Sequence, residues 1–74
     1  MIYSIPAMTM ENEFANLDWV AKYVDGLVAS SGDDDYRVVY EWDENGPGDY
    51  PPRAVLLRIG NTWERRPVVP VNDH

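Results

Sequence analysis

TMENEFANLDWVAKYVDGLVASSG, residues 9 to 32, is the stretch that decides how this chain folds. Within it Phe14, Leu17, Val20, Ala21, Val24, Leu27 and Val28 recur at spacings of three and four, the period of one buried helix face. At about 100° per residue these side chains fall within an arc of roughly 140°, while Asp18, Lys22 and Asp25 lie outside it. The spacing predicts a single amphipathic helix from Thr9 to Gly32. Thr9 is the expected N-cap and Asn12 the competing one, with Glu11 and Glu13 placing negative charge where the helix dipole favours it. Gly32 suits the left-handed position that ends a helix. Lys22 is bracketed by Asp18 and Asp25 at i,i+4 and i,i+3 spacing, each pair worth about 0.2–0.5 kcal/mol. Gly26 costs about 1 kcal/mol relative to Ala in a helix interior, so either packing overrides propensity or something approaches closely there. On the helical wheel Trp19 lies about 150° from the centre of the apolar stripe, with Tyr23 one turn on, so a partly exposed Trp is expected.

Around this helix the chain reads as strands. Met1 to Ile5 is β-prone and halted by Pro6, an edge strand. In Tyr36 to Trp42 the residues Tyr36, Val38, Tyr40 and Trp42 share one face and Arg37, Val39 and Glu41 the other, which points to the aromatic face as the core. A Gly- and Pro-rich loop follows from Asp43 to Pro52, then strands at Arg53 to Ile59 and Thr62 to Val69 joined by Gly60-Asn61. A two-residue loop sets Leu57 opposite Glu64 and Val55 opposite Arg66. A bulged three-residue loop sets Ile59 opposite Trp63 and buries more, so the bulged form is expected. Pro67 and Pro70 then end the ladder, leaving a loose tail from about residue 70. The order β-α-β-β-β predicts a small α+β domain spanning residues 1 to 74, a mainly antiparallel sheet with one helix packed on one face.

Seventy-four residues bury only about 60% of their unfolded surface, so stability is small and a partner or second copy is useful to the fold. No cysteine is present, which removes disulfides, thiolate zinc sites and thiol nucleophiles. The amino terminus lacks the basic start and apolar core of a signal peptide, and nothing approaches the ~18 apolar residues of a membrane span. The expectation is a cytoplasmic protein without membrane contact. The net charge is −7, and it is unevenly spread. Residues 1 to 50 carry eleven acids against Lys22 and Arg37, a balance of −9, whereas residues 51 to 74 carry +2. Such a field repels nucleic acid phosphate and speeds encounter with basic surfaces.

Chemistry-bearing residues are sparse. The only histidine is His74, at the terminus, and Ser4, Ser30 and Ser31 have no base placed beside them. Asp43, Asn45 and Asp49 offer oxygen ligands, but Pro47 and the missing twelfth-position Glu break the calcium-loop order. Arg58, Arg65, Arg66 and Trp63 have the composition of a single-strand-binding hairpin, yet the acidic remainder opposes it and intramolecular pairing accounts for the arginines. Pro67-Val68-Val69-Pro70 matches the PxxP form, which a strand end also explains. No catalysis, cofactor, metal or direct nucleic acid binding is therefore expected.

Eight of the nine aromatic residues are Trp or Tyr, the kind enriched at binding hot spots. A small, cysteine-free, acidic, Trp/Tyr-rich chain is similar in general character to inhibitors that bacteriophages deploy against host machinery, such as anti-CRISPR proteins. The similarity is one of composition, covers no motif and carries no residue across. It implies a non-enzymatic protein that docks on a basic, often nucleic-acid-binding, surface of a larger protein in the host cytoplasm. The expected determinants are Asp33, Asp34, Asp35, Glu41, Asp43, Glu44 and Asp49, with Trp19, Tyr23 or Tyr50 as desolvated anchors. The other expectation is an accessory subunit that forms a homodimer or completes an assembly through the sheet edge or the Trp19/Tyr23 face, its charge serving solubility.

Overall fold

A computed structural model describes residues 1–48 and 51–68. Its elements are β1 (Ile2–Ser4), α1 (Leu17–Ser31), a single 3-10 turn (Asp34–Arg37), β2 (Val38–Trp42), β3 (Ala54–Ile59) and β4 (Thr62–Pro67). The four strands form one antiparallel sheet in the order β1-β2-β3-β4, a meander with the helix inserted after its first strand. This is the expected α+β arrangement.

The helix is shorter than its apolar period suggests. Asn16, not Thr9 or Asn12, is its N-cap, with Oδ1 accepting from the backbone N–H groups of Asp18 at 2.8 Å and Trp19 at 3.2 Å. Residues 9 to 15 are instead non-helical, and Asn12 and Phe14 among them bond to the β1 segment. Phe14 exchanges both backbone hydrogen bonds with Tyr3 at 2.8 Å, and the Asn12 side chain accepts from the Ile5 N–H at 2.6 Å while donating to the Ile5 carbonyl. The outer side of β1 is thereby partly sealed, and among the described residues β4 is the open edge. Phe14 still joins the core, because a residue bridged to Tyr3 lies against the start of α1, where its ring meets Tyr23 at 5.2 Å. At the far end Gly32 takes φ +71° and its N–H returns to the Val28 carbonyl at 2.8 Å, the closure expected of a C-terminal glycine.

Val20 and Val24 of α1 pack with Tyr3, Ile5, Val39 and Leu56 to make the core. Fully burying each of these valines is worth about 1.5–3 kcal/mol. The strand pairing places Tyr3, Val39, Glu41, Ala54, Leu56, Arg58, Trp63 and Arg65 on the helix side of the sheet. The core face of β2 is therefore the one carrying Val39 and Glu41, the reverse of the expectation from its aromatic alternation. Val38 and Tyr40 lie half-buried on the outer face, and Tyr36 packs against the core from the 3-10 turn instead of from a strand.

The hairpin takes the two-residue loop, with Ile59 paired to Thr62 and Arg58 to Trp63, so the expected bulge is absent. Gly60 has φ +59°, the left-handed value required at the first position of such a loop. The Leu57/Glu64 and Val55/Arg66 pairs that argued against this register lie on the outer face, where charge keeps contact with water. On the inner face two ion pairs make the same register acceptable. Arg58, only 8% exposed, donates from Nε and Nη2 to both carboxylate oxygens of Asp25 at 3.1 and 3.0 Å and lies over the Trp63 ring at 5.1 Å. Arg65 reaches Glu41, with Nη1 donating to Oε2 at 3.0 Å while Nη2 touches Oε1 without a hydrogen-bonding angle.

Candidate functional site

With the helix on one side, the opposite face of the sheet has no covering layer among the described residues. It presents Ile2, Val38, Tyr40, Val55, Leu57 and Ile59, all at least partly accessible, with Ile59 49% exposed. Trp42 on the same face is covered, because the turn after β2 folds over it. Gly46 sits where a Cβ would fall 2.6 Å from the Trp42 Cβ, so only glycine fits there. Trp42 Nε1 donates to Ser4 Oγ at 2.9 Å, and its ring meets Tyr40 edge-on at 6.1 Å. The apolar area between these residues is a contiguous patch on the middle strands, the kind that marks an interaction surface in a small protein.

The acidic residues flank this patch rather than forming a single cluster. Asp33, Asp34 and Asp35 stand at the start of the 3-10 turn that leads into β2, and Asp43 and Glu44 immediately after the strand, all exposed. The five residues of β2, about 17 Å at ~3.4 Å each, and the last two of the 3-10 turn separate the two groups. Several acids also have partners within the chain. Asp33 Oδ1 accepts from the Asp35 N–H at 2.9 Å, Asp34 pairs with Arg37 at 2.8 Å, and Asp43 Oδ1 accepts from the Asn45 N–H at 2.9 Å. Glu41 does not belong with them. It is 3% exposed on the helix side of the sheet and is spent on Arg65, so its place in the expected acidic surface is withdrawn. Asp49 and Tyr50 lie outside the described residues, as does the expected tail from residue 70.

Trp19 and Tyr23 are 62% and 41% exposed on the side of α1 that faces away from the sheet. The expectation of an accessible Trp is met, but these aromatics and the outer face of the sheet look in opposite directions, so no single partner surface spans both. Lys22 makes no ion pair among the described residues, so the predicted bridges to Asp18 and Asp25 are not formed, and Asp25 pairs with Arg58 instead. The Arg58 hydrogen bond holds the Asp25 carboxyl below the usual aspartate range against a smaller opposing effect of burial. Burial, with Glu41 as a lesser contributor and Arg65 opposing, raises the Tyr3 phenol above its ordinary value.

The hairpin arginines are internally engaged: Arg58 with Asp25, Arg65 with Glu41, and Arg66 with Glu64 at 2.9 Å. The groove between α1 and the β3–β4 turn, lined by Asp25, Val28, Arg37, Leu57, Arg58 and Gly60, therefore holds guanidiniums that already have partners. Among the described residues no three His, Cys, Asp or Glu side chains converge as metal ligands, and no helix is long and apolar enough to cross a membrane. Sequence reasoning missed the outer sheet face. Its only signal was the presence of Val55, Leu57 and Ile59 at alternate positions of β3, which compete with Ala54, Leu56 and Arg58 for the inside. Comparison with protein-family models, curated proteins and solved structures yields no match to this chain.

Proposed function

We propose that this is a non-enzymatic binding protein that acts in the cytoplasm, where the outer sheet face docks on a larger protein and blocks a basic surface of it. The observation that supports this reading is the placement of a half-buried apolar patch, Val38, Tyr40, Val55 and Leu57, that no other described residues cover, between the acids at the two ends of β2. An apolar centre with a charged, hydrated rim is the anatomy of a protein interface. The partner surface that complements it is apolar at its middle and basic at two edges roughly 17 Å or more apart. A surface that binds nucleic acid backbone has the right charge, and an inhibitor of the phage type is the class this chain resembles in composition. The acids set the speed of encounter, and the apolar patch sets the lifetime of the complex.

The test uses the full chain as bait in lysate of its native host, with three variants compared for what each retains of the captured partner. Leu57→Arg charges the patch. Asp34→Lys with Asp35→Lys and Glu44→Lys reverses acids whose side chains are not bonded to the backbone. Trp19→Ala alters the far side of the molecule. The reading expects capture to be lost with Leu57→Arg, to slow at least tenfold and lose its salt dependence with the reversed acids, and to survive Trp19→Ala. Capture indifferent to the first two changes contradicts it.

A further inference from the structure

The helix has a second face without a partner among the described residues, and we propose that it is occupied by a second copy of this chain, packed antiparallel about a two-fold axis near residue 24. Along the side of α1 that points away from the sheet run Trp19, Lys22, Gly26 and Ala29, with Tyr23 and Ser30 beside them, all exposed. Their spacing of three, four and three residues is that of one seam on a helix. Its first half is large and its second half small. Beyond the adjacent backbone of its own helix, no atom of the described residues lies within 4 Å of a Cβ built on Gly26, so no described contact in the monomer uses the missing side chain, although a glycine here weakens the helix. A parallel copy sets Trp19 against Trp19 and leaves Gly26 facing Gly26. An antiparallel copy sets Trp19 across from Ala29 and Lys22 across from Gly26, so each large residue meets a small one. Asn16, Asp18, Trp19 and Lys22 already wall a shallow groove able to receive the small half of the opposing helix.

Charge selects the same occupant. Lys22 is the one lysine of a chain carrying −7, and it has no ion pair among the described residues. In the antiparallel arrangement its ammonium extends over the glycine of the second copy towards that copy's Asp25, whose side chain is 49% exposed while it holds Arg58. The same contact repeats across the axis, so each copy adds a second cation to the exposed side of the other's Asp25, beside Arg58. A helix of fifteen residues is about 22 Å long, and one pair of such faces falls short of the ~1,200 Å² at which stable interfaces begin. The dimer is accordingly weak and dependent on concentration.

This inference is independent of the sheet-face reading, since the two surfaces look in opposite directions. Sedimentation equilibrium of the full chain between about 10 μM and 1 mM tests it, with circular dichroism as the check on folding. The expected result is a monomer–dimer equilibrium whose dissociation constant rises at least tenfold for Gly26→Leu and for Lys22→Glu. The leucine enters open space in the monomer, so its fold is retained. A single monomeric species up to 1 mM overturns the proposal, as does a dimer indifferent to both substitutions. A dimer dispersed only by Leu57→Arg also overturns it, by placing self-association on the sheet.

Discussion

Arg65 on the edge strand β4 reaches past Ala54 of β3 to pair with Glu41 of β2, a carboxylate 3% exposed beneath the helix layer. Alanine in the intervening strand leaves room for that crossing. Removing the guanidinium strands a buried negative charge, which costs about 3 kcal/mol here, at the low end for such pairs because Arg65 is itself half exposed. Chemical denaturation of Arg65→Ala is expected to show that loss. The double substitution Glu41→Leu with Arg65→Met removes both charges and is expected to recover most of it, since an apolar pair of similar size serves as well in that position.

Acid stability depends on Asp25. Its folded-state pKa lies below the ordinary aspartate value because Arg58 hydrogen-bonds it, so the contribution to stability is present above the unfolded value of about 4 and is lost as pH falls through the folded one. Asp25→Asn is therefore expected to be less stable than the parent at pH 7, with the gap narrowing below pH 4. Denaturation midpoints for the two proteins from pH 2 to pH 7 measure this. A gap that stays constant across the range contradicts the pairing.

The start of the helix is decided by Asn16. Asn16→Ala leaves two backbone N–H groups without their acceptor and is expected to cost about 1 kcal/mol. Thr9→Ala, seven residues upstream, is expected to stay within about 0.5 kcal/mol of the parent. Urea denaturation of the two variants separates a cap at Asn16 from a helix beginning at Thr9.

Much of this architecture is legible from residue types, and the failures have particular causes. The Val20, Ala21, Val24 stripe and the closing glycine at Gly32 specify the helix because period and cap agree. Phe14 falls in phase with that stripe, yet Asn16 interrupts the helix and Asn12 finds better partners in the backbone of Ile5, so local side-chain bonding wins over periodicity. In β2 the alternation is real but its direction is set from a distance. Glu41 lies inward because Arg65, twenty-four residues on, is there to meet it. The hairpin register follows from the same pair and from Arg58, whose acceptor is on the helix. Of the candidate site, the exposure of Trp19 was readable from the helical wheel. The sheet patch was not, since β3 alternates apolar residues on both faces.

Gly26 offers a stability test that needs no partner. With no described atom beyond its own helix backbone within 4 Å of its missing Cβ, alanine fits without strain and is expected to stabilise the monomer by up to about 1 kcal/mol through helix propensity. Thermal unfolding at low micromolar concentration, where the monomer predominates, is expected to show a higher midpoint for Gly26→Ala. A lower midpoint means that the glycine serves the monomer's own packing.

The central claim is that the partner sits on the outer face of the sheet, between the acidic ends of β2. Methyl NMR of the full chain titrated with the captured partner reads this directly. The account predicts that the methyl signals of Val38, Val55, Leu57 and Ile59 shift or broaden first, while those of Val20 and Val24 in the core and the Trp19 indole stay in place. Perturbation centred on Trp19 and Tyr23, with the β3 methyls unchanged, contradicts it.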